Sequence, residues 1–238
     1  MNRIASSTLI GTAAILAISL GTCAPAFADG TSAPAPGAGK SLAAIQASAQ
    51  VKTTARTGAL NTSIAKINAA QDITASDRST ILATLNGDLA GMTAVEAKIA
   101  ADTTAASAAA DYQTIFTTYR VYAVAIPQSR FAAAADRLTS TTIPKLTDAQ
   151  TKLAAALAGP DLSKSTPALL ADLADMTTQI SAATNDLNGV AASALAVTPA
   201  AFDANSSIMG PIRTSITTSS ADLKKAASDA KTVLAAIK

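Results

Sequence analysis

The residues best equipped for chemistry lie together in Asp111–Phe131, DYQTIFTTYRVYAVAIPQSRF. This segment holds all 3 Tyr of the chain and two of its 4 Phe. Tyr112, Phe116, Tyr119 and Tyr122 recur at i, i+4, i+7 and i+10, about one face of a helix. Arg120, Gln128 and Arg130 sit beside them. Aromatic rings next to guanidinium groups can hold a sugar, a peptide or a carboxylate-bearing ligand. Tyr112, Tyr119, Arg120, Tyr122, Gln128 and Arg130 are therefore the candidate ligand-binding set. The same rings can instead fill the widest layer of an Ala-lined core with their hydroxyls at its edge, and an aromatic stripe at helical spacing is more often core.

Other chemistry has few carriers. The chain has no His, no Trp and 1 Cys, which excludes ordinary zinc, copper, haem and iron–sulfur sites. No metal and no cofactor is expected. Glu96 is the one Glu; Asp172 and Asp175 are three apart but flank an apolar seam, where exposed helix charges account for them. No G-x-S-x-G, P-loop or S-x-x-K set is present, and Ser or Thr without His lacks its usual base. The EF-hand pattern is missing. Catalytic residues are not expected. A formal net charge of +2 gives no basic footprint for nucleic acid.

The elements that must position the aromatic segment read as helices. The chain is 238 residues with 49% hydrophobic, 14% charged and 3% aromatic residues, and large apolar residues recur at spacings of three and four in a background of Ala. Strand-like alternation is lacking. A first helix is expected from Ser41 to Gln71, on Leu42, Ile45, Ala49, Leu60, Ile64 and Ile67, with a weak middle at VKTTARTG. Thr74 with Asp77 forms a capping-box start for a second, carrying Ile81, Leu85, Leu89, Met92, Val95 and Ile99. Asp102-Thr103-Thr104 ends it. A third carries Tyr112, Ile115, Phe116, Tyr119, Tyr122 and Ile126.

Pro127 either kinks a continuous helix or starts a new one. The next stretch runs to Ala158, is interrupted at Pro144, and stops at Gly159-Pro160. Thr166-Pro167 opens a helix in which Leu173, Met176, Ile180, Ala183, Leu187, Val190 and Ala194 keep heptad spacing. Thr198-Pro199 repeats the cap, an irregular piece spans Asn205 to Gly210, and the last helix carries Ile212, Ile216, Ser219, Leu223, Ala226, Ala230, Val233 and Ile237. Gly87 and Gly91 mark a close helix crossing. The expected fold is all-α: an elongated antiparallel bundle of about five to six long helices with Pro kinks, in a single domain over residues 41–238.

Residues 1–28 read as a signal peptide: Arg3, an apolar Leu9–Leu20 stretch, and Ala26-Phe27-Ala28 with cleavage after Ala28. The stretch is too short to span a bilayer, which takes ~20 apolar residues, and no transmembrane segment is expected downstream. Leu20-Gly21-Thr22-Cys23 offers a lipoprotein alternative anchored at Cys23, with Thr22 a poor fit before the Cys. Residues 29–40, DGTSAPAPGAGK, read as a flexible Pro/Gly/Ala linker.

Together YRVY at 119–122, Pro127-Gln128, Arg130, AADRL at 134–138, TPAAFDAN at 198–205 and the paired Lys224-Lys225 resemble uncharacterised secreted Ala/Thr-rich helical proteins common in high-GC Gram-positive bacteria. The resemblance covers most of the chain after the leader. It implies a secreted, envelope-facing helical bundle and carries over no catalytic residue. The expected role is a non-enzymatic structural or interaction protein of the cell surface, with an unknown envelope component, a partner protein or itself as partner. The alternative is an extracellular carrier of a small hydrophobic ligand or lipid.

Overall fold

The computed structural model describes residues 40–238. The leader, the Cys23 alternative and the linker up to residue 39 lie outside the described residues. Among the described residues all regular structure is helical, and no helix is long and apolar enough to cross a membrane.

Two long helices, α1 (Leu42–Ala69) and α2 (Ala75–Ala101), form an antiparallel hairpin. Ser41 and Thr74 cap their N-termini by accepting from the Ala44 and Asp77 amides. Each helix closes the other's C-terminus. The Gln46 amide nitrogen on α1 donates to the carbonyls of Ile99 (3.1 Å), Ala100 (3.2 Å) and Asp102 (3.2 Å). Arg78 on α2 donates to Ile67 (2.8 Å), Asn68 (3.2 Å) and Ala70. The last carbonyls of a helix lack intrahelical donors, so these side chains fix both ends and the register of the pair.

The buried stripe of α1 is Ile45, Ala49, Thr53, Arg56, Leu60, Ser63 and Ile67. It runs through the apparently weak middle, because Thr53 and Ser63 return their hydroxyls to the Ala49 and Ala59 carbonyls and so enter the core satisfied. In α2 the stripe keeps Ile81, Leu85, Met92, Val95 and Ile99, but Leu89 is only half-buried.

A short α3 (Ala105–Thr117), capped by Thr104, packs on α1 and α2. The chain then turns at Tyr119-Arg120 and re-enters a helical run that continues to Ala158. This corrects the single helix expected through Ile126: the break lies seven residues before Pro127. The run contains α4 (Ile126–Arg137) and α5 (Ile143–Ala158), each preceded by a five-residue π turn, Val121–Ala125 and Leu138–Thr142. Pro127 and Pro144 are second in their helices. A proline ring crowds the carbonyl four residues back and supplies no amide hydrogen. The wider π turn relieves this, with the Ile126 and Ile143 amides reaching back five residues to the Val121 and Leu138 carbonyls.

After Gly159-Pro160, α6 (Pro167–Leu187) starts at the Thr166 cap. It ends in a turn at Asn188-Gly189, with Gly189 at φ 71°, where α7 (Val190–Leu195) begins. The uninterrupted heptad expected to Ala194 is thus split. Its seam residues stay buried, because the Leu187, Val190 and Ala194 side chains still face inward after the turn. A six-residue α8 (Pro199–Ala204) and the final α9 (Gly210–Ile237) follow. α9 runs antiparallel along α6: Ser219 donates to the Ala183 carbonyl at 3.4 Å, and Lys164, just before α6, donates to the Ile237 carbonyl at the far end of α9. α5 lies against both, and α4 packs chiefly on α7.

Candidate functional site

The aromatic segment falls on the corner between α3 and α4. Its organising residue is one that the sequence reading passed over. Arg56 on α1 is 5% exposed, and its guanidinium carbon stands 4.6 Å from the Phe116 ring centre and 5.0 Å from that of Tyr122. One Arg56 nitrogen donates to the Lys52 carbonyl at 3.2 Å. Arg56 reaches this place because position 56 continues the 45–49–53–60–63–67 stripe of α1; that spacing was the signal that would have found it.

Around Arg56 the rings hold one another and the backbone. Tyr112 and Phe116 meet edge to face with centres 5.2 Å apart. The Tyr122 hydroxyl donates to the Ala55 carbonyl at 3.0 Å. Burial raises the Tyr112 hydroxyl pKa, opposed by the Arg56 charge. Tyr119 lies against Gly91 of α2, so close that a β-carbon there would overlap its ring. Gly87 has nothing within 4 Å of a β-carbon. The pair expected to mark a helix crossing therefore contains one glycine that yields room to a ring and one that faces open space.

Arg120 has φ 45° and ψ 39°, the only left-handed non-glycine among the described residues. Such a conformation costs of order 1–3 kcal/mol and persists only where surrounding contacts impose it. The Arg120 carbonyl accepts from the Ala123 (3.0 Å) and Val124 (2.7 Å) amides, and its side chain reaches α8: an Arg120 terminal nitrogen is 2.5 Å from Asp203 Oδ1, and its guanidinium carbon is 5.6 Å from the Phe202 ring centre. Sequence spacing gave no warning of either α8 partner, since they are some eighty residues away.

The six candidate residues do not converge. Tyr112 and Tyr122 share the Arg56 cluster, Tyr119 faces α2, and Arg120 faces α8. Gln128 is 3% exposed, with Oε1 lacking a hydrogen-bond partner among the described residues. Arg130, two residues on, is exposed.

Two carboxylates stand apart from the surface charges. Asp136 on α4 is 4% exposed and accepts from the Thr74 amide at 2.9 Å, tying α4 to the start of α2. Its pKa is raised, first by burial and then by the neighbouring Asp77 carboxylate, against the lowering effect of the Thr74 hydrogen bond. Asp88 on α2 occupies the seam position between Leu85 and Met92 where a heptad calls for an apolar residue. Burial pushes its pKa up to about 6. Among the described residues no group of His, Cys, Asp or Glu is arranged to hold a metal ion.

An open groove of about 430 Å³ lies elsewhere, where the end of α6, α7 and the start of α9 meet. Its lining is about as polar as apolar: Val190, Val197, Ile208 and Ile212 stand beside Asp186, Asn188, Ser193 and Ser215.

No family model, no curated protein and no solved structure matches the chain.

Proposed function

We propose that the chain is a secreted, non-enzymatic structural or interaction protein of the bacterial cell surface, acting through the sides of its helices. One observation carries this reading. The groups best suited to bind a ligand are engaged in joining helices: Arg56 with Phe116 and Tyr122, Tyr122 with the Ala55 carbonyl, Tyr119 with Gly91, and Arg120 with Asp203. What faces outward on the long helices is mostly Ala, Ser and Thr, with Val51 67% exposed on α1. Small side chains permit close approach of a second helix or a polymer chain along a broad face.

The test is fractionation of the host culture with N-terminal sequencing of the recovered protein. The expected result is a chain beginning at Asp29, outside the cell, that sediments with cell-envelope material or self-associates in light scattering. A chain retained in the cytoplasm, or a secreted monomer that binds no envelope fraction, overturns it.

The apolar residues that line the α6–α7–α9 groove, Val190, Val197, Ile208 and Ile212, favour a second reading, an extracellular carrier of a small hydrophobic ligand. Native mass spectrometry of the protein from its host separates the two. A bound mass released on activation favours the carrier, and a bare chain removes it.

A further inference from the structure

We propose that residues 198–208 form a strap, latched by Arg120, whose release widens the groove beside it. None of the α8 side chains is buried, and Asn205 to Ser207 are exposed. The strap is anchored at its two ends instead, by buried Val197 and Met209. Between these anchors Phe202 and Ile208 are partly buried against the core, and the Arg120 ion pair to Asp203 and its stacking on Phe202 tie α8 to the α3–α4 corner. Local hydrogen bonds shape the strap without tying it down: Thr198 Oγ1 accepts from the Ala201 amide, and Asn205 Oδ1 from the Ser207 amide.

Val197, the anchor before the strap, and Ile208, the strap's last residue, both line the groove. Movement of the strap about Val197 and Met209 carries Ile208 with it and so widens the groove along that edge. The left-handed backbone of Arg120 fits this role, because strain at one residue is retained where it aims a side chain at a distant partner. The inference depends on neither functional reading above, since the strap can be followed without knowing a ligand.

Hydrogen–deuterium exchange of the full chain tests it, with anilinonaphthalene sulfonate as the apolar probe. Asp203→Asn leaves Arg120 in place and removes the charge. Exchange over 198–208 is expected to rise about two- to fivefold, the factor set by an exposed ion pair, with a matching gain in dye fluorescence. In the unaltered protein 1 M salt, with its ~3 Å screening length, should produce the same local rise, and Asp203→Asn should not respond to it. Arg120→Gly keeps the left-handed corner without steric cost, so it should loosen 198–208 while leaving 112–126 protected. Unchanged exchange over 198–208 in both variants overturns the latch, as does equal loosening of 112–126. Loosening with no gain in dye binding overturns its link to the groove.

Discussion

The ring of Tyr119 occupies the space a side chain at Gly91 would need: a β-carbon there would stand 2.6 Å from the Tyr119 hydroxyl oxygen and nearer still to the ring carbons. The α3–α4 corner thus seats on α2 at one glycine. Alanine is otherwise the better helix residue by about 1 kcal/mol. At Gly87, where a β-carbon meets nothing within 4 Å, Gly87→Ala should stabilise by about 0.5–1 kcal/mol in urea denaturation. At Gly91 the same change should destabilise by about 1–2 kcal/mol, because the ring must leave its seat. Adding Tyr119→Ala should recover part of that loss.

Arg56 links α1 to the aromatic corner through two ring faces. Arg56→Ala should cost about 2 kcal/mol or more, and Arg56→Lys should recover less than half. A compact ammonium cannot lie flat on two rings as a planar guanidinium does. Denaturant midpoints of the three proteins decide this; equal stability of the Lys variant and the parent would remove the stacking argument.

Asp88 gives the fold a pH dependence of known sign. Its folded pKa of about 6 lies above the ordinary value of 3.8, so the folded state holds a proton that the unfolded state releases. Stability from this group is therefore greatest below about pH 4, falls as pH rises to about 6, and is constant above. Each unit is ~1.4 kcal/mol, and water contact at a half-buried carboxylate reduces the sum, so Asp88→Asn should gain about 1–2 kcal/mol at pH 7. That gain should vanish near pH 4 when unfolding is measured across the range. A gain independent of pH would assign the effect to packing instead.

Asp136 should separate a lost acceptor from a lost charge. Asp136→Ala strands the Thr74 amide at a partly buried junction and should cost about 1–2 kcal/mol. Asp136→Asn keeps an oxygen for that amide and removes the opposition of Asp77, so thermal unfolding should place it within about 1 kcal/mol of the parent. The raised pKa of Asp136 also predicts that its own charge penalty is relieved on acidification, in the same direction as for Asp88.

The sequence by itself determined the all-helical class and most helix ends. Local chemistry states both: Ala-rich apolar periodicity, Thr74, Thr166 and Thr198 as caps, the Asp102-Thr103-Thr104 break and the Gly159-Pro160 stop. The break at Asn188-Gly189 was also written there, in a dipeptide that favours turns, although the heptad running across it hid the signal.

Only the tertiary structure decided what the aromatic segment does. The break at Arg120 has no signal in its own residue type, since arginine has no preference for a left-handed backbone, and the partners its side chain meets there, Asp203 and Phe202, come from α8. Nor does spacing within α3 reveal Arg56, whose place between Phe116 and Tyr122 depends on how α1 lies across the corner. Periodicity records which face of a helix is buried. The partner that buries it is set by packing between residues far apart in the chain.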